Sequence, residues 1–503
     1  MSFNNWRNKV SDKKTKINNK GAISVYLCLV IAVLIPVLLM IIGLAKYMAM
    51  QTEVECACNL GTDSLLAEYN RNLLEEYGLL FIDTAYLDKT GSLDKTQAHL
   101  QKYLESNLNP DKNLLPLGSR DLFGFKVERA QITRASRATD NDGEVLRYMV
   151  DSYMAERYGY GLITDVKDMV ESVSSLKLDE IDINKNNDTA QEDIKNFEPP
   201  EEEGMEWSEA DRDDPVKEVT KIRAGGILKL VTDGDISGTH INVNEYASKR
   251  NLVAGDGLAV GKEPKDDLLS LLLFNEYIIK QTGNYRNVKE KGLLSYQTEY
   301  IICGKDSDEK NLKEIVNKLI LIRGAANTLY YITDVEKQEE AITLASGLAA
   351  AVACPFLEPV FKAAIDAGWI YAESVYDVKK LMHGKSVPLI TTYDDWDLGL
   401  DKAINNTTDA IDQKMKKEEN DENNKIGNLL EMKYSDYLRI LLYLTKEKDK
   451  TMRLTDVIEM DVRQINGNSN FAMDNSISDF TVQIGIGSAT GYEYFFEKDC
   501  GYY

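Results

Sequence analysis

An uncharged apolar segment, Gly21 to Ala45, constrains this chain more than any other feature of its sequence. Fifteen of its residues are Ile, Leu or Val. A helix of this length extends roughly 38 Å, and the hydrocarbon layer of a bilayer is about 30 Å thick. Buried core helices of water-soluble proteins rarely run so far without a charge. The segment therefore predicts a membrane-spanning helix in contact with lipid, and a buried core helix is the less favoured alternative.

The charges beside this segment predict its orientation. Residues 1–20 contain six Lys or Arg residues and one acid, Asp12, which gives a net charge of +5. The whole chain carries −23, so residues 21–503 carry −28. Because positive flanks stay in the cytoplasm, we expect a single-pass protein of the cell membrane. Its residues 1–20 would form a basic cytoplasmic tail, and its C-terminal region would be extracytoplasmic.

A cleaved signal peptide is the alternative interpretation of the same segment. The apolar run is longer than the roughly 7–15 residues of a signal-peptide core. The nearest cleavage-like sequence, Met48-Ala49-Met50, is a poor match to the A-x-A pattern. These features favour an uncleaved signal anchor, or processing at the front of the helix.

The composition of the remaining chain indicates a folded, acidic region. It is long enough for two or three domains. An apolar fraction of 43% and 27 Tyr argue against a disordered stalk. The strong negative charge argues against nucleic acid as a partner, because nucleic acid would repel it. We expect protein partners, and membrane lipid only along residues 21–45.

Apolar side chains continue at helical spacing beyond the membrane segment. Val54, Cys58, Leu65, Tyr69 and Leu73 follow one another at intervals of four, seven, four and four residues, which places them on one helical stripe. The pattern predicts a single helix from Gly21 to Glu76, kinked at Pro36. This stripe must be covered, either by the ectodomain or by neighbouring protein copies, and we expect it to carry a partner contact.

The fold class predicted from the whole pattern is α+β and predominantly helical. After the tail and the membrane helix, we expect an amphipathic helical extension over 46–78 and a membrane-proximal α+β region over 79–178. An acidic disordered linker over 179–215 and a helix-rich main ectodomain over 216–503, ending in a strand, would follow. The periodicity predicts helices over 93–108, 143–157, 266–281, 308–331, 336–352, 356–383, 401–418 and 426–445, and strands over 79–83, 125–136 and 470–488.

Two segments have alternative interpretations. Residues 179–215 hold fifteen acids against three basic residues, which predicts disorder; a calcium site is the alternative, but no regular ligand spacing supports it. Ile342 to Leu357 is apolar enough to suggest a second membrane span. It is too short for one, so a buried helical hairpin turning at Pro355 is favoured.

The six cysteines do not form the framework of a disulfide-rich protein. Cys28 lies in the membrane segment, and Cys56 and Cys58 point to different faces of the predicted helix. Cys303, Cys354 and the C-terminal Cys500 are either disulfide partners in an oxidising compartment or small buried apolar residues. The second role is favoured.

No motif in the sequence indicates enzymatic chemistry. The three histidines, His99, His240 and His383, lack metal-ligand spacing. Gly255 to Lys262 resembles a phosphate loop but has the wrong glycine spacing, and the residues around Asp140-Asn141-Asp142-Gly143 do not complete a calcium loop. We therefore predict no catalytic residues, no cofactor and no metal.

The front of the chain resembles the minor pilins of tight-adherence (Tad, or Flp) pilus systems, of the TadE/TadG type. The matching residues are Lys20-Gly21-Ala22-Ile23-Ser24-Val25, followed by Pro36 and Gly43 within the helix. The resemblance implies prepilin-type processing at Lys20, Gly21 and Ala22, with cleavage after the glycine. Tyr26 stands where such pilins carry a glutamate that assists assembly.

Further segments resemble an uncharacterised family of Gram-positive membrane proteins associated with Tad pilus genes. The segments are Leu66 to Leu79, Glu299-Tyr300-Ile301-Ile302 with Gly304, the residues around Arg323 and Asn327, Asp377 to Pro388, and Tyr437-Leu438-Arg439 with Arg453. The resemblance implies a location and a cellular system, and no reaction.

Three functions are compatible with these features. The favoured one is a membrane-anchored surface protein, a minor pilin-like or accessory component of a Tad-type pilus assembly system that acts through protein–protein contacts. An anchored extracellular binding or sensing module unrelated to pili is the alternative. A surface hydrolase with carboxylate chemistry is the least favoured.

Overall fold

The computed structural model describes residues 19–109, 123–158, 183–196, 214–232, 234–259, 262, 268–419 and 431–502. These residues form an α+β fold that is predominantly helical, which confirms the predicted class. The chain divides into two compact units. The first unit comprises Met1–Ala67, Gln97–Gln131 and Val482–Lys498, and the second comprises Glu68–Thr96, Ile132–Thr481 and Asp499–Tyr503.

The first unit is built on one long helix, α1, Asn19–Leu66, which contains Pro36. It is the one candidate membrane span among the described residues, and none of its most apolar window is buried. Its large apolar side chains between Ile23 and Leu44 are exposed, as expected for a surface that contacts lipid. Beyond this segment, α1 buries one face. A Cβ atom at Gly61 would lie 2.9 Å from the Leu104 side chain, so α1 lies close to residues 97–108.

The predicted single helix to Glu76 is wrong, because α1 ends at Leu66 and a short helix, α2, Arg71–Tyr77, follows a turn. Asn70 begins α2: its side-chain oxygen accepts hydrogen bonds from the backbone N–H of Asn72 at 3.0 Å and of Leu73 at 3.4 Å. An asparagine in this position satisfies amides that a continuous helix would bond to its own backbone. Gly78, with φ +70°, then ends α2.

Four strands form the main sheet. They are β1, Ile82–Asp83; β2, Lys126–Arg137; β5, Ser476–Gly487; and β6, Glu493–Gly501. The strand order is β1-β5-β2, β6 also pairs with β5, and β1 runs antiparallel to β5 with Ile82 opposite Ile477. The predicted strand over 470–488 corresponds to β5, and the aromatic residues that follow it form β6 of the same sheet. A separate two-stranded sheet pairs β3, Val387–Pro388, with β4, Glu431–Met432.

The strand β5 is buried on both faces along most of its length. Its polar residues Ser478 and Asp479 are both buried. Arg134 of β2 forms an ion pair with Asp479 at 2.9 Å, and Ser478 donates a hydrogen bond to the same carboxylate. Burial of these polar residues is possible because each has a partner.

Helices make up most of the second unit. They are α4, Asp140–Tyr158; α5, Ile183–Asn196; α6, Lys217–Gly225; α7, Ile227–Val231; α8, Leu268–Gln281; α9, Gln297–Cys303; α10, Asp308–Tyr331; α11, Val335–Ala351; α12, Glu358–Met382; α13, Leu400–Asn405; α14, Thr407–Glu419; α15, Tyr434–Leu444; and α16, Glu447–Gln464. The helices α1 and α2 precede these in the chain, as does α3, Leu93–Leu108, most of which belongs to the first unit. The core of the unit surrounds α12, which contacts α5, α10 and α11.

Residues 342–357 belong to a helical hairpin, as the sequence predicted. The helices α11 and α12 are joined by a turn that contains Pro355. The two helices differ in burial. Most residues of α12 are buried, whereas α11 buries only the small residues Ala341, Ala345 and Ala349. The rest of α11 remains at the surface.

The predicted disorder of residues 179–215 is wrong for the part that forms α5. Asn187, Ala190 and Ile194 lie three and four residues apart and are buried, and Asn187 donates a hydrogen bond to the Ala367 carbonyl at 3.2 Å. These three residues form a buried stripe on α5, which the acidic composition of the segment as a whole did not indicate. The flanking residues 179–182 and 197–213 lie outside the described part of the chain.

Other predicted boundaries need smaller corrections. The helix over 401–418 is divided into α13 and α14, and the described part of the helix over 426–445 begins at Tyr434. The helix α16 was not predicted. None of the six cysteines, all of them among the described residues, forms a disulfide. Burial raises the pKa of the Cys303 thiol to about 12, in keeping with a role in packing.

Candidate partner-binding groove

The residues predicted for prepilin-type processing lie at the start of α1. Lys20, Gly21 and Ala22 are helical, so the bond after the glycine is within the first turns of the helix. Gly21 is exposed, and a Cβ atom there would have no neighbour within 4 Å. Cleavage after Gly21 stays a prediction.

The structure separates the predicted helix-packing stripe into two groups. Val54, Cys58 and Leu65 are buried on α1 in the first unit. Tyr69 lies in the turn after α1 and pairs with Ile82, and Leu73 is buried on α2. The chain itself therefore covers most of the stripe, which leaves little of it for a partner.

A more open surface lies in the second unit, between α11 on one side and α13 and α14 on the other. It is a groove of 1320 Å³. Its apolar lining comprises Leu344, Gly347, Leu348, Leu398, Gly399, Leu400 and Ala410, and its polar lining comprises Glu336, Glu339, Glu340, Thr343, Asp397, Asp401, Lys402, Asn405, Gln413 and Lys414. An apolar floor with a polar rim is typical of a surface that binds an amphipathic segment.

Buried hydrogen bonds hold the floor of the groove. The carboxylate of Glu373, on α12, accepts hydrogen bonds from the backbone N–H of Asp397 at 2.9 Å and of Leu398 at 2.8 Å. The indole N–H groups of Trp369 and Trp396 both donate to the Leu398 carbonyl, at 2.8 and 3.0 Å. The loop that forms the floor is thus fixed from below.

Charged side chains beneath the floor are paired with one another. Lys380 forms ion pairs with Asp377 at 2.9 Å and with Asp397 at 3.0 Å. Burial raises the pKa of Glu373, and the negative charge of Asp377 raises it further. Burial also acts to raise the pKa of Asp377, but the charges of Lys380 and Arg323 hold that pKa below its usual value.

The rim of the groove is different, because α11 carries carboxylates that have no partner. Among the described residues, no hydrogen bond or ion pair engages the side chains of Glu336, Glu339 and Glu340. Glu336 and Glu340 are one turn apart, so their like charges destabilise the helix slightly. A cationic partner would relieve this repulsion.

Aromatic rings lie beside the groove and enclose a lysine. The Nζ atom of Lys337 lies 5.5 Å from the ring centroid of Trp396, 5.8 Å from that of Trp369 and 5.9 Å from that of Tyr330. Asp334 forms an ion pair with the same nitrogen at 3.3 Å. Lys337 is therefore held inside the chain and does not neutralise the carboxylates on either side of it.

Segments that carried the family resemblance meet in buried networks of the second unit. Arg323 is fully buried and forms an ion pair with Asp377 at 3.0 Å. Asn327 donates to the same carboxylate at 3.1 Å, and Arg323 also contacts Tyr437 at 3.4 Å. In a second network, Arg453 donates to the carbonyls of Ile301 and Ile302.

The sequence alone did not reveal the groove. Its walls come from three helices and a loop, and each contributes residues that are ordinary by themselves. The one available signal was the run of glutamates at the start of a helix whose remaining sequence is apolar. Within the described residues, no cluster of His, Cys, Asp and Glu is suited to hold a metal ion.

The fold and the groove together define a predominantly helical protein with an N-terminal candidate membrane span and a groove that has apolar and acidic lining residues. The chain belongs to DUF5702, a family of unknown function, which matches residues 205–488. The matched region includes the groove and both networks described above. No curated protein and no solved structure matches the chain.

Proposed function

We propose that this protein is a single-pass, membrane-anchored surface protein that acts by binding other proteins. The observation that carries the proposal is the exposure of every large apolar side chain along the first half of α1, while the rest of the described chain buries an ordinary core. Such a surface is stable only in lipid or against another apolar surface. The basic tail before it supports a cytoplasmic N-terminus.

The groove supports the binding role. It joins a fixed apolar floor to unpartnered carboxylates, which is the chemistry that receives an amphipathic segment with basic residues. The features of the N-terminus favour a Tad-type pilus system as the setting. An anchored binding module unrelated to pili would use the same groove, so the groove does not distinguish the two functions. They differ in whether deletion of the gene affects pili and surface attachment.

A deletion strain tests the proposal. We expect loss of pili or of surface attachment, and restoration of both by the wild-type gene. A gene carrying Glu339→Gln and Glu340→Gln should restore them only in part, because the rim loses two charges. A matched control carrying Glu290→Gln and Glu309→Gln, two exposed carboxylates outside the groove, should restore them fully.

The deletion and complementation results distinguish a role in a pilus system from a binding role unrelated to pili. Unchanged pili and attachment in the deletion strain would contradict the pilus role. Full restoration by the groove variant would show that the rim carboxylates carry no part of the binding.

A further inference from the structure

Lys450, on α16, is a buried lysine. Its side chain has no exposed surface, and among the described residues no carboxylate forms an ion pair with it. Its Nζ atom instead donates a hydrogen bond to the side-chain oxygen of Asn275, on α8, at 2.8 Å. Fully buried lysines are rare and are normally paired with a charge. This arrangement needs another explanation.

The amide of Asn275 is held only at its oxygen. The residue is 2% exposed, and no hydrogen-bond partner of its buried Nδ2 atom lies among the described residues. Buried amide nitrogens almost always have an acceptor. The structure therefore places the lysine nitrogen next to a buried carboxamide that is engaged at its oxygen.

The surroundings favour the neutral form of the lysine. Burial lowers the pKa of Lys450 to about 7, and the positive charge of Arg147 contributes to the same shift. The ring of Phe274 lies 5.7 Å from the nitrogen and supplies an apolar wall. A neutral amine carries the lone pair that a nucleophile requires, and desolvation of a lysine is a known means of activating it.

We propose that Lys450 and Asn275 become joined by an intramolecular isopeptide bond. The hydrogen bond brings Nζ within 2.8 Å of the amide oxygen, and this oxygen is bonded to the carbon, Cγ, that the amine would attack. The Nζ–Cγ bond forms, the Cγ–Nδ2 bond breaks, and the departing nitrogen leaves as ammonia. The reaction consumes no oxidant, reductant or further reactant.

One proton has to pass from the lysine nitrogen to the departing nitrogen. We assign this transfer to Asp151, on α4, whose carboxylate acts electrostatically on Lys450. Ser270 donates a hydrogen bond to Asp151 at 2.5 Å, and Arg147 lies 3.6 Å from it, so the carboxylate is held in place. A positioned carboxylate is a suitable proton carrier.

The bond would connect two helices that are 175 positions apart in the sequence. A covalent link across so long a loop restricts the unfolded chain and so favours the folded state. It would also resist reduction, unlike a disulfide. This inference is independent of the proposed function and concerns the stability of the second unit.

Mass spectrometry of the full-length protein, purified in detergent, tests the proposal. We expect the intact chain to be lighter than its sequence by one ammonia. A tryptic digest should contain one branched peptide in which Lys450 is joined to Asn275, with no cleavage after that lysine. An intact mass equal to the sequence mass, with separate linear peptides covering the two residues, would overturn the proposal.

Variants locate the reaction. Lys450→Arg and Asn275→Ala should both restore the full mass. Lys448→Arg is the matched control, because Lys448 is exposed and pairs with Asp142, and it should retain the loss of ammonia. Asp151→Asn should leave a mixture of joined and unjoined chains, and complete joining in that variant would overturn the role of Asp151. Ammonia lost elsewhere, without the branched peptide, would contradict the bond. The wild-type measurement decides the question even where a variant fails to fold.

Discussion

Glu299 is a fully buried carboxyl group whose charge is only partly compensated. One of its oxygens accepts hydrogen bonds from the backbone N–H of Tyr285 and from the hydroxyl of Tyr434, both within 2.8 Å. Its other oxygen is buried and has no hydrogen-bond partner in the described part of the chain. Burial raises the pKa of Glu299 from 4.5 to about 7, although the Tyr285 amide opposes the shift.

This pKa predicts how stability depends on pH. Between pH 4.5 and about 7 the folded protein retains a proton that the unfolded chain has released. The contribution of Glu299 to the free energy of unfolding therefore falls as pH rises through this window and is constant above it. The total loss is on the order of 3 kcal/mol.

We expect Glu299→Gln to remove this pH dependence, because glutamine is neutral throughout. Its free energy of unfolding should exceed that of the wild type above pH 7 and equal it near pH 4.5. Chemical denaturation at a series of pH values measures the difference. Glu290→Gln, at an exposed site, should change nothing at either pH. A constant difference between Glu299→Gln and wild type across the pH range would contradict the expected titration.

Among the elements, α1 combines two surfaces in one helix. Its first half exposes apolar side chains, and its second half buries Val54, Cys58 and Leu65. Leu60, on the same half, is 50% exposed. The helix therefore offers a buried and an exposed leucine five residues apart for a direct comparison.

Leu65→Asp should destabilise the detergent-solubilised protein strongly, because it places a charge in a site with no exposed surface. Truncation of a buried leucine to alanine alone costs about 2–5 kcal/mol, and aspartate should cost at least as much. Thermal unfolding measures the loss. Leu60→Asp is the control and should have little effect. Equal melting temperatures for Leu65→Asp and the wild type would show that the stripe contributes nothing to folding.

The sequence predicted elements well where one helix has a continuous apolar face and a clear beginning. The helix α10 begins and ends where the periodicity placed it, and Ser307 caps its first turn. The helix α16 was missed because its buried face includes Asp456 and Glu459. Their partners, Ser248 and Tyr300 for the first and Arg250 for the second, are distant in sequence.

The groove was beyond prediction for the same reason. Its floor depends on Glu373 meeting the backbone of Asp397 and Leu398 across a gap of more than twenty residues. Its acidic rim was visible only as a charged stretch of α11, which alone indicates a solvated surface. The end of α1 at Leu66 was also not predicted, because the apolar spacing continues unchanged into α2. The residue that marks the start of the second helix is Asn70, which caps α2.

For the whole molecule, the charge distribution sets the expected topology. In the sequence, a net charge of +5 on residues 1–20 precedes the uncharged segment 21–45, and a net charge of −28 follows it. We expect a protease added to intact cells to degrade the acidic region and leave the membrane fragment. An epitope on the basic tail should survive until the cells are permeabilised. Resistance of the acidic region on intact cells, or recovery of the protein in the soluble lysate, would contradict the orientation or the anchor.

The bonds that Glu373 and the two tryptophans make to the Asp397–Leu398 loop have a kinetic consequence. Because these contacts are all made within the chain, the proposed amphipathic helix would dock on a loop that the chain itself holds in place. Little ordering entropy would be lost on the protein's side at the moment of docking. Sequence changes in the docking helix would then alter chiefly its dissociation rate constant, and would alter its association rate constant much less.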